Sequence, residues 1–277
     1  MPAPMFNNTV IDLINAPDKT ITVLTGAGIS AESGIPTFRG PEGYWTVGSK
    51  VYMPEEIASA AMFDQHPREV WEWYLYRLGV CLRAEPNVGH HALAELENLL
   101  ETRFTLITQN IDNLHIRAGN SLQRTFQIHG NINFMRCSKP CHNQLNILIE
   151  ALTIRPKQKE LSENELCLLH CEHCGSWLRP HVLWFDEYYD ESWFRFDSSL
   201  KVADNTNLLV IVGTSGATAL PNHVVSRVQA NKGTIIDINP EHNPFSEAAK
   251  ASPGGMFIQQ KSAGILPTIV DCYTTVC

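Results

Sequence analysis

KTITVLTGAGISA, Lys19 to Ala31, is a short apolar run rich in β-branched residues that ends in a glycine turn. A run of that length with no polar alternation reads as a strand buried on both faces of a parallel sheet. RFTLITQN (Arg103 to Asn110), NLLVIVGTS (Asn207 to Ser215) and GTIIDINP (Gly233 to Pro240) have the same form, each ending in small or polar residues. Helix-patterned stretches such as HALAELENLL (His91 to Leu100) and PNHVVSRVQA (Pro221 to Ala230) lie between them. Strands alternating with helices predict an α/β fold with a doubly wound, Rossmann-like parallel sheet. In such sheets ligands bind beyond the carboxyl ends of the strands, which is where those polar endings fall.

Gly26, Gly28 and Ala31 fit a GxGxx(G/A) loop, in which small residues permit a tight turn and close backbone approach to a pyrophosphate. An ordinary dinucleotide unit would continue into a second strand with an acidic end about twenty positions on. This chain runs instead into Gly34, Pro36, Phe38 and Arg39, so the loop is expected to fold over its ligand.

Composition narrows the function classes. The 277 residues carry a net charge of −8, which leaves no electrostatic footprint for nucleic acid and suits basic, lysine-containing partners. The longest apolar run, NLLVIVG, has the length of a strand and not of a membrane span. The first twenty residues lack the basic start and apolar centre of a secretory signal and contain no arginine, so a cytoplasmic location is expected.

Without a signal peptide, eight cysteines read as metal ligands or buried thiols, not disulfides. Cys137 and Cys141 form one close pair and Cys171 and Cys174 another, 30 positions on (171 − 141). Four thiolates predict a closed, structural zinc site. Cys167, His142, His170 and His173 lie among them and leave open which groups ligate. The expected organisation is a Rossmann-like domain from residues 1–50, 84–135 and 180–277, a helical insert at 51–83 and a zinc-binding module at 136–179.

GAGISAESGIPTFRG (Gly26 to Gly40), TQNIDNLHIRAG (Thr108 to Gly119), IHG (Ile128 to Gly130), the cysteine pairs, RPHVLWFDE (Arg179 to Glu187), GTS (Gly213 to Ser215) and INP (Ile238 to Pro240) together resemble the ordered motifs of the sirtuins, across nearly the whole chain. The resemblance implies an enzyme that consumes NAD to remove an acyl group from a lysine side chain, releasing nicotinamide and an O-acyl-ADP-ribose. Acylated-lysine proteins or peptides would be its partners, and NAD and zinc its cofactors. By that resemblance Gly26, Ala27, Gly28 and Ser30 hold the dinucleotide, Phe38 covers the reacting ribose, and Arg39 sits near the phosphates. Gln109 and Asn110 contact the ribose region, Asp112 helps bind the nicotinamide carboxamide, and His129 is the general base that takes a proton from a ribose hydroxyl. Gly213, Thr214 and Ser215 line the phosphate and adenosine side, Asn239 the adenosine ribose, and Ala263, within SAGILP (Ser262 to Pro267), approaches adenine. RPHVLWFDE resembles the strand along which a substrate peptide lays its backbone. The chain departs from the family at Asn113 and Asp186, where most members have glycine.

Tyr74 and Arg77, three residues apart in VWEWYLYRLG, share one helix face. Taken alone they read as a core aromatic and a snorkelling cation. Their YxxR pattern, with Thr37 in TFRG and GYW at Gly43 to Trp45, resembles the desuccinylase and demalonylase branch, in which the pair binds the carboxylate of an acidic acyl chain. The resulting expectation is removal of succinyl or malonyl groups, and also acetyl. The alternatives are a plain lysine deacetylase or an ADP-ribosyltransferase on the same fold, a nicotinamide-dependent oxidoreductase, and a non-catalytic module that binds NAD or ADP-ribose.

Overall fold

The computed structural model describes residues 5–37, 54–148, 152 and 160–274. Its strands are β1 (Ile21–Thr25), β2 (Phe104–Thr108), β3 (Thr125–Gln127), β4 (Gly130–Cys137), β5 (Asn146–Ile147), β6 (Leu178–Val182), β7 (Leu208–Val212), β8 (Thr234–Ile238) and β9 (Met256–Ile258). Six of them form one sheet in the order β3-β2-β1-β7-β8-β9, with every neighbouring pair parallel.

Every residue of β1, β7 and β8 is buried, which accounts for the absence of polar alternation in their sequences. Val23, Leu106, Val210 and Ile236 pack on one face with residues of the helices Asn8–Asn15, Val88–Leu100 and Ser262–Thr274. Leu24, Ile107, Leu209 and Ile235 pack on the other with the helices Ala219–Ala230 and Pro244–Ala251. Two helix layers on one parallel sheet make the expected doubly wound architecture.

The chain builds outward from β1 to β2 and β3, then returns to the other side of β1 with β7. The order reverses between β1 and β7, and the carboxyl ends of these strands lead into Gly26 and Gly213, the switch point at which open α/β sheets bind their ligands.

A second sheet, β5-β4-β6, is antiparallel. The helix Pro67–Arg83, begun by a proline where no intrahelical N–H is needed, packs against it. Trp71, Leu75 and Leu78 share one core with Met135, Leu178 and Trp184, and Trp71 Nε1 donates to Leu178 O at 2.7 Å. The helical excursion and the cysteine-bearing segment thus bury their apolar faces against each other. Among the described residues no helix is long and apolar enough to cross a membrane.

Candidate active site

The two glycine turns at the switch point meet directly. Gly28 N donates to Gly213 O at 2.8 Å, and Gly26 N to Val212 O at 2.9 Å. Gly213 has φ +58°, and a Cβ there would stand 2.6 Å from Gly28 Cα. Side chains are therefore excluded from both turns by the turns themselves, which leaves bare backbone beside Ala27 and the Thr214–Ser215 pair. Bare backbone bordered by neutral amides and hydroxyls fits the chemistry of a dinucleotide. Phe38, Arg39 and Gly43 to Trp45 lie outside the described residues.

The end of β2 supplies the next layer. Gln109 Nε2 donates to Thr214 Oγ1 at 2.9 Å, and Asn110 Nδ2 to Gly26 O at 3.0 Å, so both amides bridge β2 to the glycine turns. Asp112 is 7 % exposed and accepts from Ser30 Oγ at 2.7 Å and from Leu114 N at 2.9 Å. Burial pushes its carboxyl up, against the pull of those two donors. Beneath lie His90, whose Nε2 is 3.4 Å from Ser30 Oγ, and His115, whose Nε2 is 3.0 Å from Thr25 Oγ1. Burial lowers the pKa of both, so this floor is neutral. Asn113 adopts the left-handed conformation with φ +67°, which asparagine tolerates, and its Oδ1 accepts from Asn131 Nδ2 at 2.8 Å.

His129 follows β3, with Nδ1 3.0 Å from Gln109 O and Nε2 2.8 Å from the Tyr189 hydroxyl. A carbonyl can only accept, so Nδ1 carries the proton and Nε2 presents the lone pair. Burial lowers the pKa to about 4, opposed by the Gln109 carbonyl, so the ring is neutral at pH 7.

Tyr74 is 2 % exposed and Arg77 5 %. The Arg77 guanidinium lies over the Trp73 ring, 4.5 Å from its centroid. Trp184 Nε1 donates to the Tyr74 hydroxyl at 3.0 Å, so the phenolic proton remains available to another acceptor. Burial pushes that hydroxyl up to about 12. Trp184 belongs to RPHVLWFDE, which links the Tyr74 helix to the segment after β6. Asp186, one of the two departures from the family pattern, is tied to the helical excursion. Its carboxylate accepts from Ala60 N at 2.8 Å and Ala61 N at 3.1 Å, at the start of the helix Ala60–Gln65. Its charge is directed at that helix end.

Cys137, Cys141, Cys171 and Cys174 converge, with all four sulfurs within 4.8 Å of one another. The closest contacts are 3.3 Å for Cys141–Cys137 and 3.5 Å for Cys137–Cys174. Thiolates bound tetrahedrally at about 2.3 Å stand roughly 3.8 Å apart, so the set fits zinc. Cys167 is outside this group, at the end of the helix Glu163–Cys167. His170 lies against Trp177, with ring centroids 4.3 Å apart, while His142 Nε2 stands 3.3 Å from Cys171 Sγ as a neighbour of the cluster. Cys137→Ser or Cys171→Ser is expected to lower both zinc content and Tm, because metal binding contributes to folding. Elemental analysis and thermal denaturation check this; folded, active protein without zinc would contradict it.

Asn239 Nδ2 donates to Thr214 O at 2.9 Å, and Ala263 N donates to the Glu32 carboxylate at 3.1 Å. The sequence motifs did not single out Tyr189, or Thr218, whose Oγ1 donates to Gln109 Oε1 at 2.8 Å. Nothing in their spacing signals a role, because their partners are 60 and 109 positions away.

A Sir2 family model matches residues 26–219. An NAD-dependent protein deacylase of Leptospira interrogans is 38% identical over 250 residues, covering 90% of this chain and 91% of the relative. One from Pyrococcus abyssi is 36% identical over 255 residues, covering 92% and 93%. A solved Sir2 homologue in complex with NAD superposes with a TM-score of 0.77 at 31% identity, over 97% of this chain and 94% of that one. A Sir2 structure with a deacetylated p53 peptide and 3'-O-acetyl ADP ribose superposes with a TM-score of 0.75 at 25% identity, over 96% and 98%.

Proposed function

The chain belongs to the Sir2 family and is an NAD-dependent protein deacylase, and from that premise we propose that it removes acidic acyl groups, succinyl or malonyl, from lysine side chains of cytoplasmic proteins, with acetyl as a lesser substrate. NAD supplies the electrophilic ribose carbon and the ribose hydroxyls. In this reading Gly26, Ala27, Gly28, Ser30, Gly213, Thr214 and Ser215 hold its phosphates, with Arg39 beside them and Phe38 over the ribose. Asn239 and Ala263 flank the adenosine. Gln109 and Asn110 orient the reacting ribose, Asp112 receives the carboxamide, and His129 Nε2 takes the proton of a ribose hydroxyl.

The burial of Tyr74 and Arg77 together against Trp73 and Trp184 carries the acyl preference. An acyl carboxylate that leaves water needs a compensating charge, and arginine stays protonated at any working pH. The guanidinium offers charge-assisted, bidentate donors and Tyr74 one neutral donor beside them. A short peptide whose lysine carries succinyl, malonyl or acetyl, given with NAD, tests the proposal through free nicotinamide. The two acidic peptides are expected to give the higher kcat/KM. Equal or higher kcat/KM on acetyl-lysine would return the protein to the plain deacetylases. Nicotinamide release accompanied by ADP-ribose on protein would favour transferase chemistry instead.

A further inference from the structure

The lone pair on His129 Nε2 is already engaged. An imidazole nitrogen without a proton accepts one hydrogen bond, and the Tyr189 hydroxyl fills that position at 2.8 Å. A ribose hydroxyl therefore cannot reach Nε2 unless Tyr189 yields it. Donor and acceptor accounting around the site says how it can. Gln109 O takes the Nδ1 proton, and Gln109 Oε1 takes the Thr218 proton. Gln109 Nε2 donates to Thr214 Oγ1. Thr218 and the Leu220 amide stand beside the Tyr189 hydroxyl. Gln109, Tyr189 and Thr218 thus surround the His129 ring.

We infer that Tyr189 is the positioning residue of the base: its hydroxyl donates to Nε2, holds the imidazole in the rotamer and tautomer that accept a proton, and yields that site to the ribose hydroxyl when substrate is bound. The inference rests on His129 being the base. When the ribose hydroxyl donates to Nε2, the tyrosine O–H rotates towards the Thr218 oxygen. Protons balance without ionising the tyrosine, whose hydroxyl burial pushes up to about 12. The Tyr189 ring is held for this by stacking on Phe196, with centroids 6.2 Å apart, and lies 5.8 Å from the imidazole at 33°.

A hydrogen bond donated to the neutral imidazole disfavours its protonation. Among the described residues Tyr189 is the titratable group hydrogen-bonded to His129; the influences on the His129 pKa are burial and the Gln109 carbonyl, and no charged side chain is among them. Tyr189→Phe keeps the ring and its stacking and removes only the donor. The His129 pKa, followed by NMR of the imidazole without NAD, is expected to rise by about half to one pH unit, the equivalent of one neutral hydrogen bond. With acylated peptide and saturating NAD, the acid limb of kcat/KM should move up by the same amount. The plateau kcat should fall about 3- to 10-fold, while KM for NAD stays within about 2-fold.

An unchanged NMR pKa overturns the hydrogen bond, and a shifted pKa with unchanged kcat and acid limb overturns the positioning role. A separate His129→Ala measurement keeps the two readings apart. Loss of turnover in His129→Ala with wild-type behaviour in Tyr189→Phe sinks this inference alone, whereas full turnover in His129→Ala sinks the base assignment.

Discussion

His129→Ala is expected to bind NAD within a few-fold of wild type and to lose about 10²- to 10⁴-fold in deacylation, the usual cost of removing a general base. The separation follows from where the ring stands. His129 makes its hydrogen bonds to the Gln109 carbonyl and Tyr189, and neither belongs to the glycine turns. Gly26, Gly28 and Gly213 are held by backbone bonds that do not involve residue 129. What alanine removes is a neutral imidazole with its proton fixed on Nδ1, a lone pair on Nε2, and a pKa near 4 that keeps it unprotonated at pH 7. Calorimetric NAD affinity and formation of the O-acyl product measure the two halves. Retained turnover would remove His129 from the mechanism, and lost NAD binding would make its role structural.

Arg77→Met is expected to lower kcat/KM on succinyl-lysine by about 30- to 4,000-fold, corresponding to the roughly 2–5 kcal/mol lost when one partner of a buried charge pair is truncated. Methionine fills a comparable volume beside Trp73, so the core shared by Trp71, Leu75, Met135 and Leu178 keeps its packing. The acyl carboxylate, however, would exchange the guanidinium for a thioether and keep the neutral Tyr74 hydroxyl, and a buried charge that loses its charged partner is costly. Acetyl-lysine carries no such group, so its turnover should hold or rise. Steady-state kinetics on both peptides at saturating NAD check this. Parallel losses on the two would mean that the guanidinium supports the fold and not the acyl group.

The large sheet was legible because its strands are buried on both faces: KTITVLTG, NLLVIVGTS and GTIIDINP are runs rich in apolar, β-branched residues with no polar alternation and with small or polar ends. The four cysteines were legible because two tight pairs restrict the choice of ligands, although only proximity excluded Cys167. The small sheet was hidden. β4, GNINFMRC, does not alternate cleanly between apolar and polar residues, its pairing with β6 shifts register between Gly130 and Met135, and its partners are distant in sequence. Asp186 shows the same limit: the partners of its carboxylate are the amides of Ala60 and Ala61, 126 and 125 positions away. Asn113 takes the left-handed conformation at φ +67°, which asparagine tolerates, so this departure is a local one. Tyr189 carried no local signal at all, because its significance lies in one oxygen reaching one nitrogen across the site.

The ratio of succinyl to acetyl kcat/KM in the wild type, Tyr74→Phe and Arg77→Met, at matched NAD, tests most directly whether this pair selects the substrate. The wild-type ratio should exceed one. Tyr74→Phe should reduce it by about 2- to 13-fold, since one neutral hydrogen bond is lost while the aromatic packing on Trp73 remains. Arg77→Met should reduce it furthest and bring it below one. The same ratio in all three proteins would make Tyr74 and Arg77 ordinary members of the core and contradict an acidic-acyl specificity.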